Sequence, residues 1–475
     1  MASPSTASLL LAATLVAWLG SGCAARATVP HDPGAVTAEG TLATPLVLAG
    51  AERTIYARIR LGAKPLGERP LGPVNVALAI DTSGSMEGAP IEQARQAARL
   101  MIGALKDGDR LAVVTFNTKT EVLLPSSELD DDVRTELAGQ LAQVQAIGTT
   151  DLSGGLAAAV QQVQEHRDPA GINRVILLGD GLPNELGSIE TTARTASENG
   201  IAITTMGLGL DYDEVLMGKI ADLSGGRYRY VEDAGKMVGF FRQELERMNS
   251  VVARRAFAEL TAGPGVRLEA VVGATDPPVG GHAQVVLGDL ARGQSRDIIV
   301  RMTVTPRKAG VPIELLDAVI SFDDALENAG ALERRVYFGA YTSGDEGRVE
   351  KARNADVELS AALAEAAATT LLALDLGKAG HNVRARELLT KGAVAARAQA
   401  KRTPSAKLDE HAASMESVAK GLPAEDTAAA AAETEAGYQF QDEALSVAPA
   451  AQQTFSPALQ REMKKAHSKA FDMTH

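Results

Sequence analysis

Between residue 74 and about residue 251, short apolar runs alternate with segments in which apolar residues recur every three or four positions. Val74-Asn75-Val76-Ala77-Leu78-Ala79-Ile80 is a nearly unbroken apolar run and reads as a buried strand. The runs at 110–116, 175–179, 201–206 and 227–231 read in the same way, and Glu121-Val122-Leu123-Leu124 is expected to pair with the second through a turn at Asn117-Thr118. Ile91, Ala94, Ala98, Met101 and Leu105 lie on one helical face, with Pro90 near its start. Strand and helix in alternation predict a mostly parallel, doubly wound sheet with helices on both faces, over residues 74–251.

Outside that region the pattern changes twice. Residues 41–63 hold one strand signal, at 54–61, and residues 255–340 hold more, at 266–270 and 297–304. In the last of these Ile298, Val300, Met302 and Val304 face one way while Asp297, Arg301 and Thr303 face the other. The two segments predict one β-sandwich with the α/β region inserted between its strands. From residue 353 to about 400 the chain reads as an alanine-rich helical hairpin that turns at Gly377-Lys378-Ala379-Gly380 and packs on the sandwich. Residues 401–475 read as an Ala/Glu-rich linker and a C-terminal helix, with Arg461, Lys464, Lys465 and Lys469 forming a solvent-facing basic end.

The α/β pattern gives two aspartates a common address. Asp81 ends the first buried run and leads into Thr82-Ser83-Gly84-Ser85, while Asp180 ends the run at 175–179 and leads into Gly181-Leu182-Pro183-Asn184. Open α/β sheets bind ligands at the carboxyl ends of their strands, so two aspartates distant in sequence can share one cation there. Asp81, Ser83 and Ser85 offer one carboxylate and two hydroxyls at alternate positions, hard oxygens suited to Mg²⁺ or Mn²⁺. Gly148-Thr149-Thr150-Asp151-Leu152 opens a further helical pattern. The same residue types also cap helices, so the serines could serve a helix at 90–105 and Asp151 the helix that starts near Leu152.

Together the three segments resemble the von Willebrand factor type A domain and its metal-ion-dependent adhesion site. Position by position, the resemblance implies that Asp81, Ser83 and Ser85 form the first ligand loop, Thr150 the second and Asp180 the third. The serines would bind the metal directly, Thr150 would do so in the ligand-bound form, and the aspartates would act directly or through water. Gly179 stands where the family often has Thr, and Thr149 where a second Gly is common; neither is a ligand position. The implied cofactor is Mg²⁺ (or Mn²⁺ or Ca²⁺), and the implied partner is a protein that completes the coordination sphere with an Asp or Glu carboxylate. The layout of sandwich and inserted domain looks like secreted bacterial proteins of this family and, more distantly, inter-α-trypsin inhibitor heavy chains.

Several function classes lose ground on composition and motif. The seven histidines are scattered, in no H-E-x-x-H or paired spacing, and no nucleophile elbow or phosphate loop appears. A non-enzymatic binding protein is therefore expected; the alternatives are a regulatory or assembly subunit of an envelope complex and, with no general base in view, a metal-dependent hydrolase. Net charge is −13 with a pI near 5.2, and no basic face precedes the last twenty residues, which argues against nucleic acid. At the amino terminus an apolar run from Leu9 to Leu19 is too short to span a bilayer and leads into Gly20-Ser21-Gly22-Cys23, the only cysteine. This resembles a bacterial lipoprotein signal, although Leu19 sits four before the cysteine and no Lys or Arg precedes Leu9. It implies removal of residues 1–22, lipidation of Cys23 and a membrane-anchored place in the cell envelope, with ordinary secretion as the alternative.

Overall fold

A computed structural model describes residues 31–65, 74–179, 188–210, 212–327, 329–427 and 455–474, so the expected leader 1–22 and Cys23 lie outside the described residues. The chain opens with strands β1 (Val36–Leu42), β2 (Leu46–Leu48) and β3 (Arg53–Ala63). It then runs through β4 (Val74–Asp81), α1 (Ala89–Ala104), β5 (Arg110–Phe116), β6 (Thr120–Glu128), α2 (Asp131–Gln143) and α3 (Leu152–Glu165). β7 (Ile172–Gly179), α4 (Ile189–Glu198), β8 (Ile201–Leu208), α5 (Glu214–Ser224), β9 (Tyr228–Val231) and α6 (Met237–Met248) complete this region.

These strands form one sheet in the order β6-β5-β4-β7-β8-β9, parallel throughout except for the β5–β6 pair. Every residue of β4, β7 and β8 is buried, the condition that makes strands covered on both faces read as unbroken apolar runs. Val76, Leu78 and Ile80 of β4 meet Ala94, Met101 and Phe241 from α1 and α6 on one face. Ala77 and Ala79 point to the other face, with Leu156, Ala193 and Ile220 from α3, α4 and α5. The chain leaves β4 towards β5 on one side and leaves β7 towards β8 on the other. The carboxyl ends of β4 and β7 therefore flank the switch point of the sheet, where the diverging connections leave a crevice.

β10 (Val251–Ala262), β11 (Val266–Val271), β12 (His282–Ala291), β13 (Ser295–Val304), β14 (Pro312–Asp324) and β15 (Ala331–Ser343) follow α6. With the first three strands they build two sheets, β1-β3-β13-β11 and β12-β10-β14-β15-β2. β13 pairs with β3 from Ser295↔Gly62 to Val304↔Arg53, so segments on either side of the α/β region share a ladder. Ile55, Ile59 and Val300 of one sheet pack against Leu260, Ile320 and Phe338 of the other. β1 starts at Val36, ahead of the 41–63 segment in which the first strands were expected. As a half-exposed edge strand containing Glu39, Gly40 and Thr41 it lacks apolar alternation. Gly40 lets it run close to β15, since a Cβ there would stand 2.2 Å from Val336 and 2.8 Å from Phe338.

Among the described residues, the helices α7 (Glu346–Lys351), α8 (Ala355–Lys378), α9 (Asn382–Arg402), α10 (Ala406–Gly421) and α11 (Pro457–Thr474) follow. α8 and α9 form the hairpin. α8 lies on the face of β3 and β13 that points away from the sandwich core, where Arg58 bonds Asp356 at 2.6 Å and Glu365 accepts from Tyr56 at 3.0 Å and from Arg301 at 2.9 Å. α10 falls where a linker was expected. Ser405 caps it by accepting the Leu408 N–H, and Leu408, Ala412, Met415 and Val418 are buried against the hairpin.

The basic end of α11 is the largest departure from expectation. Lys465 and Lys469 are half exposed, on Glu232 and Glu410, but Lys464 is only 2 % exposed. Its ammonium donates to Glu214 Oε2 at 2.8 Å and to the Tyr212 carbonyl at 2.7 Å, and sits 3.7 Å above the Tyr212 ring. Glu214 also accepts from Lys378 of α8 at 2.6 Å. One carboxylate in the first turn of α5 thus holds both α8 and α11 against the α/β region.

Candidate metal centre

Asp81 is the last residue of β4, and its carboxylate is fully buried. Oδ1 accepts the backbone N–H of Ser83 at 2.8 Å, a two-residue turn that carries the chain out of the sheet. Ser83 is 2 % exposed, Ser85 is exposed, and their hydroxyl oxygens lie 3.0 Å apart. Neither serine caps α1, whose N-cap is Gly88, and Ser83 makes no side-chain cap to the short turn at Gly84–Met86. The capping alternative thus falls away for these two residues.

The loop from α2 to α3 is fastened to this turn by two backbone bonds. Ile147 N–H donates to the Thr82 carbonyl at 2.8 Å, and Gly84 N–H donates to the Gly148 carbonyl at 3.0 Å. Gly148 has φ +81°, and a Cβ there would stand 2.4 Å from Thr118 Oγ1, so only glycine fits. Thr149 next to it is exposed and donates its N–H to Thr118 Oγ1 at 3.0 Å, which leaves room for its side chain. Thr150 follows, 6 % exposed. Asp151 does cap α3, accepting the Gly154 N–H at 2.9 Å.

Asn117 also belongs to this assembly, although its sequence signal was only that of a turn. Its side-chain amide donates to Thr82 Oγ1 at 3.1 Å, and its carbonyl accepts the Asp151 N–H at 2.7 Å. It therefore braces both loops at once. An asparagine between two strands looks the same whether it makes a hairpin turn or a brace, so nothing in the chain flagged the role.

β7 ends beside β4 at Gly179, where a Cβ would stand 3.4 Å from Asp81 Oδ2. The third expected ligand, Asp180, is the next residue and lies outside the described residues. The donors that are described fit a small hard cation. All are carboxylate or hydroxyl oxygens, and the 3.0 Å between Ser83 and Ser85 is close to the edge of about 2.9 Å that an octahedron with Mg²⁺–O bonds of about 2.0–2.1 Å requires.

A doubly wound sheet with an oxygen-donor loop pair at its switch point defines a class of metal-site binding domains. The sequence model of the von Willebrand factor type A domain matches residues 75–243, and the chain is a von Willebrand factor type A domain protein. Domains of this family generally bind a divalent metal at such a site and generally mediate protein–protein interaction. The chain is 27% identical over 273 residues to the uncharacterized protein YfbK of Escherichia coli K12, covering 55% of this chain and 47% of that one. Human inter-alpha-trypsin inhibitor heavy chain H4 is 31% identical over 190 residues, 36% of this chain and 20% of that one. The chain thus spans about half or less of the length of these two relatives. Among solved structures, a von Willebrand factor type A protein from Catenulispora acidiphila has the same fold at a TM-score of 0.64 and 21% identity, over 78% of this chain and 88% of that one.

Proposed function

We propose that this protein binds a protein partner through a Mg²⁺-type ion held by Asp81, Ser83, Ser85, Thr150 and Asp180. The observation that carries the reading is the fastening of the Asp81–Ser85 turn to the Ile147–Thr150 loop at the switch point of the sheet. A bound divalent ion would supply an electrophilic coordination position, to be filled by an Asp or Glu carboxylate of the partner. Asp81 is held in place by the Ser83 N–H, so ordering it on binding costs little further entropy. Two aspartates balance a divalent charge, which leaves an acidic partner group unopposed by net negative charge at the site. Ile147 is 60% exposed on the same loop and offers an apolar contact beside that position. The favoured partner segment therefore carries an acidic side chain next to an apolar one.

The address proposed for this activity is the bacterial cell envelope, with Cys23 lipidated after removal of residues 1–22. The run from Leu9 to Leu19 and the small residues before Cys23 support it. The test is capture from detergent-solubilised envelopes by residues 24–475, in Mg²⁺, in EDTA, and with Ser83→Ala in Mg²⁺. A protein held only by wild type in Mg²⁺ supports the reading, and a single stoichiometric partner would favour an assembly subunit over an adhesin. Identical capture in all three conditions rejects the metal site as the binding surface.

A further inference from the structure

A second concentration of charge lies far from the metal loops in sequence, and its signs do not balance. A small cavity of about 10 Å³ is lined by Arg227 from the loop before β9, Arg247 from α6 and Arg296 from β13, with Asp289, Asp472 and Phe471. Arg247 Nη2 donates to the Asp289 carbonyl at 3.0 Å, while its Nε is buried with no hydrogen-bond partner among the described residues. Arg296 Nη1 donates to the Leu287 carbonyl at 2.6 Å. Arg227 comes no nearer to the Asp472 carboxylate than 3.8 Å.

The neighbouring carboxylates are engaged by other groups. Asp289 accepts from Arg174 at 2.7 Å and from the Arg255 N–H at 3.2 Å. Asp472 is gripped by Arg229 at 2.7 and 2.9 Å. Glu244 takes the Thr204 hydroxyl at 2.8 Å with Arg174 at 3.9 Å, and Asp222 takes the Thr275 hydroxyl. Among the described residues, the cavity lining thus brings three guanidinium groups and two carboxylates, and both carboxylates are engaged by arginines outside that lining. Burial, with Arg227 adding to it, lowers the pKa of Arg247 to about 9 and that of Arg296 to about 10. Arginine keeps its proton even so, and the excess charge remains as a cost to the fold unless something neutralises it.

We propose that this cavity binds one small monovalent inorganic anion of chloride's size. A volume of about 10 Å³ accommodates the centre of one water-sized sphere, too little for the four oxygens of phosphate or sulfate. Water would fill the space and leave the charge; a single monovalent anion answers both. The three arginines come from the α/β region and from a sandwich strand, and Phe471 and Asp472 close the cavity from α11, so one ion bonds parts of the chain that are distant in sequence.

The experiment is thermal unfolding of the full chain in EDTA at fixed ionic strength, with sodium gluconate replaced stepwise by sodium chloride. Wild type is expected to melt about 1–3 °C higher with a saturable dependence on chloride, as for any ligand that binds only the folded state. Arg247→Gln is expected to lose that dependence, with Arg296→Gln as the substitute if the first variant does not fold. Crystals of wild type grown in bromide should then show an anomalous peak among the three guanidinium groups. Unfolding indifferent to chloride, a chloride effect retained in the variant, or the absence of that peak overturns the proposal.

Discussion

Ser83 uses its side chain for a single described contact, the Ser85 hydroxyl at 3.0 Å, and caps no helix. Its hydroxyl is thus a group the fold can lose, whereas a metal held there would need it. Ser83→Ala should shift unfolding free energy by no more than about 1.5 kcal/mol, the worth of one hydrogen bond. It should also weaken Mg²⁺ binding by about 10–100-fold, the effect that even supporting groups around a metal produce. Calorimetric titration alongside urea unfolding measures both, and unchanged affinity would remove Ser83 from the ligand set. Thr150→Ala is expected to reduce partner binding more than metal binding if, as the family resemblance implies, its direct contact is made in the ligand-bound form; equal loss of both would argue against that assignment. That Asp81, Ser83, Ser85 and Thr150 lie on neighbouring loops was legible because a strand end and a helix start set them at the same end of the sheet. Asn117 was not, since its work is done by a backbone carbonyl and an amide that any turn asparagine also possesses.

Elements reveal a different limit, set by how completely each one is buried. β4, β7 and β8 were plain in the chain because both faces are covered, and the helix of Ile91 to Leu105 because one face is. β1, half exposed at a sheet edge, and α10, whose buried face is Leu408, His411, Ala412, Met415, Val418 and Ala419, left little contrast to read. α11 misled because Lys464 looks like any surface lysine until Glu214, two hundred and fifty positions away, is placed opposite it. Two predictions belong to this scale. α3 crosses β5 so closely that a Cβ on Gly155 would stand 2.4 Å from the Phe116 ring. Gly155→Ala should cost about 1–3 kcal/mol by overpacking and weaken Mg²⁺ binding as well, since Thr150 leads into α3. A neutral result in urea unfolding would show that the ring can yield. Glu214→Gln leaves Lys378 and Lys464 buried without their shared carboxylate, and breaking such a cluster typically costs about 3–5 kcal/mol. A loss below about 1 kcal/mol in the same measurement would mean that the two lysines find other partners.

Across the whole molecule the Glu214 cluster is where the α/β region, α8 and α11 meet, and its titration should govern acid stability. Burial pushes the Glu214 carboxyl up, but Lys378 and Lys464 outweigh it and leave its pKa at about 2. Its contribution is therefore complete above about pH 4.5 and is lost only as pH falls towards 2. Two neighbours titrate nearer neutrality, in opposite senses. Burial lowers His467 to about 4, so the folded state binds its proton less readily than the unfolded chain does. The stability held by neutral His467 is full above about pH 6.5 and is lost as pH falls towards 4. Burial, helped by Asp213, raises Asp375 to about 6, so its contribution is full below about pH 3.8 and is lost as pH rises through 6. Between pH 6 and 4 the two nearly cancel, each worth up to about 1.4 kcal/mol per pH unit. Unfolding free energy compared at pH 4.5, 5.5 and 7 should then separate three proteins. Wild type should change little from this cluster, His467→Gln should gain stability on acidification as Asp375 takes up its proton, and Asp375→Asn should lose it as His467 is forced to charge. The same slope in both variants would show that neither group senses the junction, and the acid limit of the molecule would then have to lie with carboxylates outside it.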